Sequence, residues 1–173
     1  MKLIPELTEQ LRKLEDWKSA GIGKQIGTIR VDARQMEQLR HEINCEGFTL
    51  TVDEPSKRGG TNLGLYPLGH FVAGAVTCFL TNMAKASILM NLKLDTMEIT
   101  ARGHYDRGPA RTFTDFIYDV RLTGEETIEN VTKLMYEAEE RCFVHQTLKK
   151  ALSLTSNMFL NGSQVATHTL GPE

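Results

Sequence analysis

Hydrophobic and polar positions change period several times along this chain. Ile4, Leu7, Leu11 and Leu14 recur at helical spacing among Glu, Lys and Arg, which predicts a helix over residues 5–20, ended by Gly21 and Gly23. Strand-like stretches follow. Over residues 27–31, Ile29 and Val31 share a face with Gly27. Over residues 39–46, Leu39, His41, Ile43 and Cys45 alternate with Arg40, Glu42, Asn44 and Glu46, the period of two of a half-buried strand. After Gly47 the alternation resumes at Phe48, Leu50 and Val52. Residues 53–66 are rich in turn formers and predict a loop.

Pro67 opens a long apolar run expected to be helical to about Leu92, since proline fits the first helical turn, where its missing N–H costs nothing. Phe71, Val72, Ala75, Val76, Phe79 and Leu80 make its first half apolar on nearly every side, as in a buried helix. Two more alternating stretches come next, one around Met97, Ile99 and Ala101, the other around Phe116, Tyr118, Val120 and Leu122, with Gly108 and Pro109 in the turn between them. Ile128, Val131, Met135, Ala138, Cys142 and His145 then trace one inward helical stripe. A short strand is expected at residues 157–160, and a polar, loose tail from Asn161. Helix, strands, buried helix, strands and helix in this order, with short turns between strands, predict an α+β class with antiparallel pairing.

Composition narrows the class. The chain has 173 residues, 40% apolar and 24% charged, enough for a core of its own. A formal net charge of −2 argues against a nucleic-acid partner, which calls for a clustered basic surface. The N-terminal residues lack the pattern of a signal peptide. The most apolar stretch, residues 71–84, is interrupted by Thr77 and Asn82 and is shorter than the ~20 residues that span a bilayer. The expectation is a cytoplasmic protein without a membrane segment.

The candidate chemistry is sulfur. Three cysteines in such a chain do not predict a disulfide framework. Cys45 falls on the apolar face of a strand and reads as structural. Cys78 lies in the buried helix and Cys142 on the inward stripe, so the two thiols can share one core. They are either small buried hydrophobes or a pair in which one sulfur is oxidised and the other condenses with it. Cys142 and His145 form a C-x-x-H pair, too few ligands for zinc, and no metal or other cofactor is expected. The glycines at 21–24 and 59–64 match no phosphate-binding spacing.

Three stretches together, FTLTVDEPSKRGGTN before the long helix, YPLGHFVAGAVTCFLTNMA across it and ERCFVHQTL in the later one, resemble the OsmC/Ohr family (osmotically inducible protein C-like, organic hydroperoxide resistance). The resemblance runs from about residue 25 to 160. It implies an OsmC-like fold, an intertwined homodimer with antiparallel sheets around two long central helices and sites at the dimer interface. The implied organisation is an N-terminal helix over residues 1–22, an OsmC-like domain over 23–160 and the tail over 161–173. The implied activity is a peroxidase of the oxidative stress response. Cys78 takes the position of the peroxidatic thiol and Cys142 that of the resolving thiol. An organic hydroperoxide, a small-molecule partner expected to be bulky because the surroundings of Cys78 are apolar, is reduced to its alcohol, and the disulfide is re-reduced by a dithiol partner. The chain departs from the family pattern after Pro67, where Leu68, Gly69 and His70 replace an acidic position, and at Phe143 and Gln146, where the motif has proline and arginine. Arg30 and Arg34 lie near the first hairpin but in no recognisable motif. The alternative implied by these departures is a non-catalytic OsmC-like protein that binds an apolar small molecule at the dimer interface.

Overall fold

The structure, a computed structural model, describes residues 7–13 and 26–172. Residues 7–13 are helical, and the rest of the helix expected over residues 5–20 lies outside the described residues. The chain divides into two compact units, Gly21–Ala73 and a second formed by Met1–Ala20 with Gly74–Glu173.

The smaller unit is an antiparallel meander of β1 (Val31–Glu37), β2 (Arg40–Cys45) and β3 (Phe48–Val52). Glu46 and Gly47 join β2 to β3 with φ of 52° and 83°, the two left-handed residues that a tight hairpin with native twist requires. The first strand starts where the expected one, residues 27–31, ends. Its sequence, VDARQME, has no apolar alternation to find. Main-chain pairing with β2 decides it instead, with Arg34 opposite Glu42 and its Nε 2.9 Å from Glu42 Oε1. After β3 the loop closes on Asp53. This fully buried carboxylate accepts the backbone N–H groups of Thr61 (3.0 Å) and Leu63 (3.1 Å) and the Thr61 hydroxyl (2.5 Å). The Thr61 hydroxyl is the main cause that holds its carboxyl below the usual range. Gly60 is needed here, because a Cβ would sit 1.7 Å from the Glu54 carbonyl oxygen.

Helix α1 (Pro67–Leu89) follows. At 23 residues and a mean hydropathy of 1.4 it is, among the described residues, the helix long and apolar enough to cross a membrane, which the run at 71–84 did not suggest. Ala75, Phe79, Met83, Ala86, Ser87 and Ile88 are nevertheless buried within the protein.

The larger unit holds a four-stranded sheet in the order β4 (Leu94–Tyr105), β5 (Phe113–Gly124), β6 (Ser153–Leu160), β7 (Ser163–Leu170), with α2 (Ile128–Arg141) and α3 (Phe143–Leu148) between β5 and β6. The inner face carries Phe116, Tyr118, Val120 and Leu122 from β5 and Leu154 and Met158 from β6, all at most 1% exposed. Val131, Leu134, Met135 and Ala138 of α2 are likewise fully buried, so the expected stripe is present. Its first member is not part of it, since Ile128 is 57% exposed at the helix start. Thr127 caps that start, its hydroxyl accepting the Asn130 N–H at 3.2 Å.

Two expectations are corrected here. The sheet is mixed, because β5 and β6 pair parallel. A strand that returns through a helical crossover re-enters in the same direction, unlike one joined by a tight turn. Secondly, the tail expected to be loose from Asn161 is an edge strand. Asn161 and Gly162 (φ 49° and 85°) turn the chain, and β7 pairs antiparallel with β6. Its polar sequence hides it from any periodicity. Main-chain pairing holds it, with a 2.5 Å contact between His168 Nδ1 and the buried carboxylate of Glu139 on α2.

Candidate functional site

The two sequence-predicted site residues meet. Cys78 sits in the middle of α1, and Cys142 at the junction of α2 and α3, 64 residues later. Their sulfurs are 3.4 Å apart, with the Cys142 thiol donating to Cys78 Sγ, and both are free thiols. A disulfide closes to ~2.05 Å, so a short movement joins them.

The local chain explains the position of Cys142. The stripe was expected to continue as one helix, but Cys142 has extended backbone (φ −79°, ψ 108°) and interrupts it. Its N–H still closes α2 on the carbonyls of Ala138 and Glu139, and its own carbonyl accepts the Gln146 N–H of α3 at 2.9 Å. The break turns the side chain of Cys142, fully buried, onto α1. Burial pushes its thiol up to about 12, against a smaller opposing effect of the His145 N–H at the start of α3. Cys142 is therefore a protonated thiol at neutral pH.

Cys78 is half-buried and lines a cleft of about 340 Å³ together with Gly74, Thr77, Thr81, Asn82, Lys85 and Phe143. Asn82, one turn on, donates to the Cys78 carbonyl at 2.8 Å and lies 3.9 Å from its sulfur. The helical i, i+4 spacing contained this contact. Phe143, 85% exposed, reaches the cleft from the first residue of α3. Nothing in the sequence pattern singled it out for that place. Arg141 is engaged one turn back, 3.0 Å from Glu137. Arg30 and Arg34 pair with Asp32 and Glu42 inside the smaller unit.

His145, on the predicted stripe, is fully buried between two aromatic rings, Phe79 at 4.2 Å and Tyr118 at 4.8 Å between centroids. Burial holds its imidazole down to about 4, so it is neutral. Among the described residues, no three His, Cys, Asp or Glu side chains come together in a way that could hold a metal ion. Cys45 is half-buried on β2.

The architecture and the paired thiols define a class, an α+β protein with two reduced cysteines brought together from a core helix and a helix break. Residues 60–157 match the family described as OsmC-like protein, more than half of the chain, and the chain belongs to that family. None of the curated proteins matches it. Solved structures share its fold. An OsmC-like protein from Mycoplasma pneumoniae superposes with a TM-score of 0.72 at 16% identity, covering 79% of this chain and 99% of that one. An organic hydroperoxide resistance protein from Elizabethkingia anophelis gives 0.66 at 19% identity, covering 80% and 100%. A protein from Legionella pneumophila described as an organic hydroperoxide resistance protein OsmC and predicted redox protein gives 0.60 at 17%, covering 79% and 97%.

Proposed function

We propose that this chain is a thiol-dependent reductase of organic hydroperoxides, with Cys78 as the peroxidatic and Cys142 as the resolving cysteine. The observation that carries this is the 3.4 Å approach of the two free sulfurs. Cys78 lines the open cleft and Cys142 is closed off behind it, which suits the order of the steps. Cys78 Sγ attacks the distal peroxide oxygen, the O–O bond breaks, and the alcohol leaves with a proton. The sulfenic acid on Cys78 then condenses with the Cys142 thiol to a disulfide and water. A dithiol donor returns both sulfurs to the reduced state. The hydroperoxide resistance named for two fold relatives agrees in kind with this activity.

The cleft wall also bears on substrate. Thr77, Thr81, Asn82 and Lys85 set polar groups beside the Phe143 ring, a mixed wall that suits a hydroperoxide with an apolar organic part. The Asn82 amide lies 3.9 Å from the attacking sulfur, and Lys85 puts a cation on the same wall. The protein is proposed to work as a homodimer in the cytoplasm, in the response to oxidative stress. Exposed Phe48 (75%), Val31 (52%) and Leu50 (47%) on the three-stranded sheet support a second copy as cover.

The test is titration with cumene hydroperoxide while free thiols are counted. Wild type loses two thiols per chain and forms one intramolecular disulfide. Cys78→Ser is silent, and Cys142→Ser stops at the sulfenic acid. Thiol loss no faster than that of free cysteine would sink the proposal.

A further inference from the structure

Asn82 lies well inside α1, where asparagine is a poor helix former. Its side chain does little for the helix. The amide donates to the Cys78 carbonyl at 2.8 Å, but in a helix that carbonyl already accepts the main-chain N–H four residues on. A lysine or glutamine would suit a half-buried helix position at lower cost. Asn82 belongs to a stripe with Gly74, Thr77, Cys78, Thr81 and Lys85 at spacings of three and four, and this stripe forms the cleft wall.

The two sides of Cys78 differ. Cys142, fully buried, approaches its sulfur at 3.4 Å and does not line the cleft. A thiol that attacks a sulfur enters opposite the group it displaces. An oxygen carried by Cys78 therefore points into the cleft, on the side that Asn82 lines. Asn82 Nδ2 is 3.9 Å from Cys78 Sγ, long for a hydrogen bond to the sulfur itself. It fits an oxygen between them. A sulfur–oxygen bond of about 1.7 Å and a hydrogen bond of about 2.9 Å together span that distance when the angle at the oxygen is about 115°. The amide carries two hydrogens, so one can stay on the Cys78 carbonyl while the other meets this oxygen.

We propose that Asn82 is a further catalytic residue, whose side-chain N–H binds the oxygen that Cys78 takes from the hydroperoxide and supports it as it leaves. This rests on the reductase reading above. In the resolving step the Cys78 S–O bond breaks and the Cys78–Cys142 S–S bond forms. The thiol proton of Cys142 ends on the departing hydroxyl, which leaves as water, and no external electron is needed. Hydroxide is a poor leaving group, and a fixed donor aimed at the oxygen on which charge develops lowers that barrier. Holding the first amide hydrogen on the Cys78 carbonyl fixes the side chain for this task.

The test compares two ways of forming the same disulfide in the full chain. In the first, one equivalent of cumene hydroperoxide is added, sulfenic acid is trapped with dimedone, and disulfide is followed by mass spectrometry. In the second, DTNB leaves an aryl mixed disulfide on Cys78, and Cys142 displaces the aryl thiolate with no oxygen on the sulfur. Asn82→Leu is expected to slow disulfide formation from the sulfenic acid at least about tenfold, with the dimedone adduct accumulating on Cys78. Displacement of the aryl thiolate is expected to keep its wild-type rate. Asn82→Asp, with the same shape and the donor exchanged for an acceptor, is expected to give the same pattern, and it serves if the leucine variant does not fold. Equal slowing of both routes would show that Asn82 only packs the sulfurs together, and overturns the proposal. So does an unchanged rate in both. Either result, with disulfide formed by hydroperoxide in wild type, leaves the reductase standing. Absence of both sulfenic acid and disulfide in wild type overturns the reductase reading, and the role of Asn82 with it.

Discussion

Strands β2 and β3 of the smaller sheet and β4 and β5 of the larger one carry similar alternating patterns and meet different fates. In the four-stranded sheet, Phe116, Tyr118 and Val120 of β5 are completely buried, and α2 of the same unit supplies fully buried residues of its own. In the three-stranded sheet every residue of β1 is exposed, and Phe48 of β3 is 75% exposed. Alternation therefore states which side chains favour cover, without stating what provides it. The larger sheet is covered by the helices of its own crossover, and the smaller one is where a second copy is proposed. The thiol pair lies on the self-covered side, where burial can hold two sulfurs in contact.

Five substitutions break or sharpen this contrast. The largest effect is expected from Phe116→Ala, which empties a site with no exposed surface and is expected to cost about 3–5 kcal/mol in urea unfolding. A loss near zero would mean that the large sheet is no better packed than the small one. Next comes acid. His145 titrates near 4 in the folded chain and near 6.5 unfolded, so between these pH values the unfolded chain binds more protons. Its contribution is intact above pH 6.5 and is lost as pH falls to about 4, a loss of about 3 kcal/mol. His145→Phe should flatten unfolding free energy over that window. Asp53 of the smaller unit behaves differently. Its lowered pKa stabilises above the ordinary carboxylate range, and that support is lost only as pH falls below 3.8, so Asp53→Asn should leave the pH 4–6.5 slope in place. Thr127→Ala, which removes the cap of α2, should cost about 1 kcal/mol. The smallest effect is expected from Phe48→Ala, below about 0.5 kcal/mol at a protein concentration where the chain is monomeric. At higher concentration the same substitution should weaken self-association in sedimentation. A large, concentration-independent loss would show that the small sheet is covered within its own chain.

Much of the frame was legible from residue order. Period-two alternation marked Phe116, Tyr118, Val120 and Leu122, and the 3.6 period marked Val131, Met135, Ala138, Cys142 and His145, because burial on one face imposes those spacings. The motif stretches pointed to the family that residues 60–157 match. Polar strands were not legible. β1 and β7 owe their place to main-chain pairing with neighbours, which leaves no hydrophobic signal. The parallel pairing of β5 with β6 likewise follows from the crossover between them and from no property of either strand alone.

The opposite fates of the two sheets apply equally to the site. By itself the sequence determined that Cys78 lies within the long apolar helix and that Cys142 follows the inward stripe of the later one, since helical period fixes a side chain's face. Only the tertiary structure decided that they meet at 3.4 Å, because that contact depends on the break of the helix at Cys142 and on the packing of α1. It alone also set Tyr118 and His145 ring against ring, with no hydrogen-bond partner among the described residues. Periodicity assigns a direction within one element, whereas a distance between elements is set by everything packed between them.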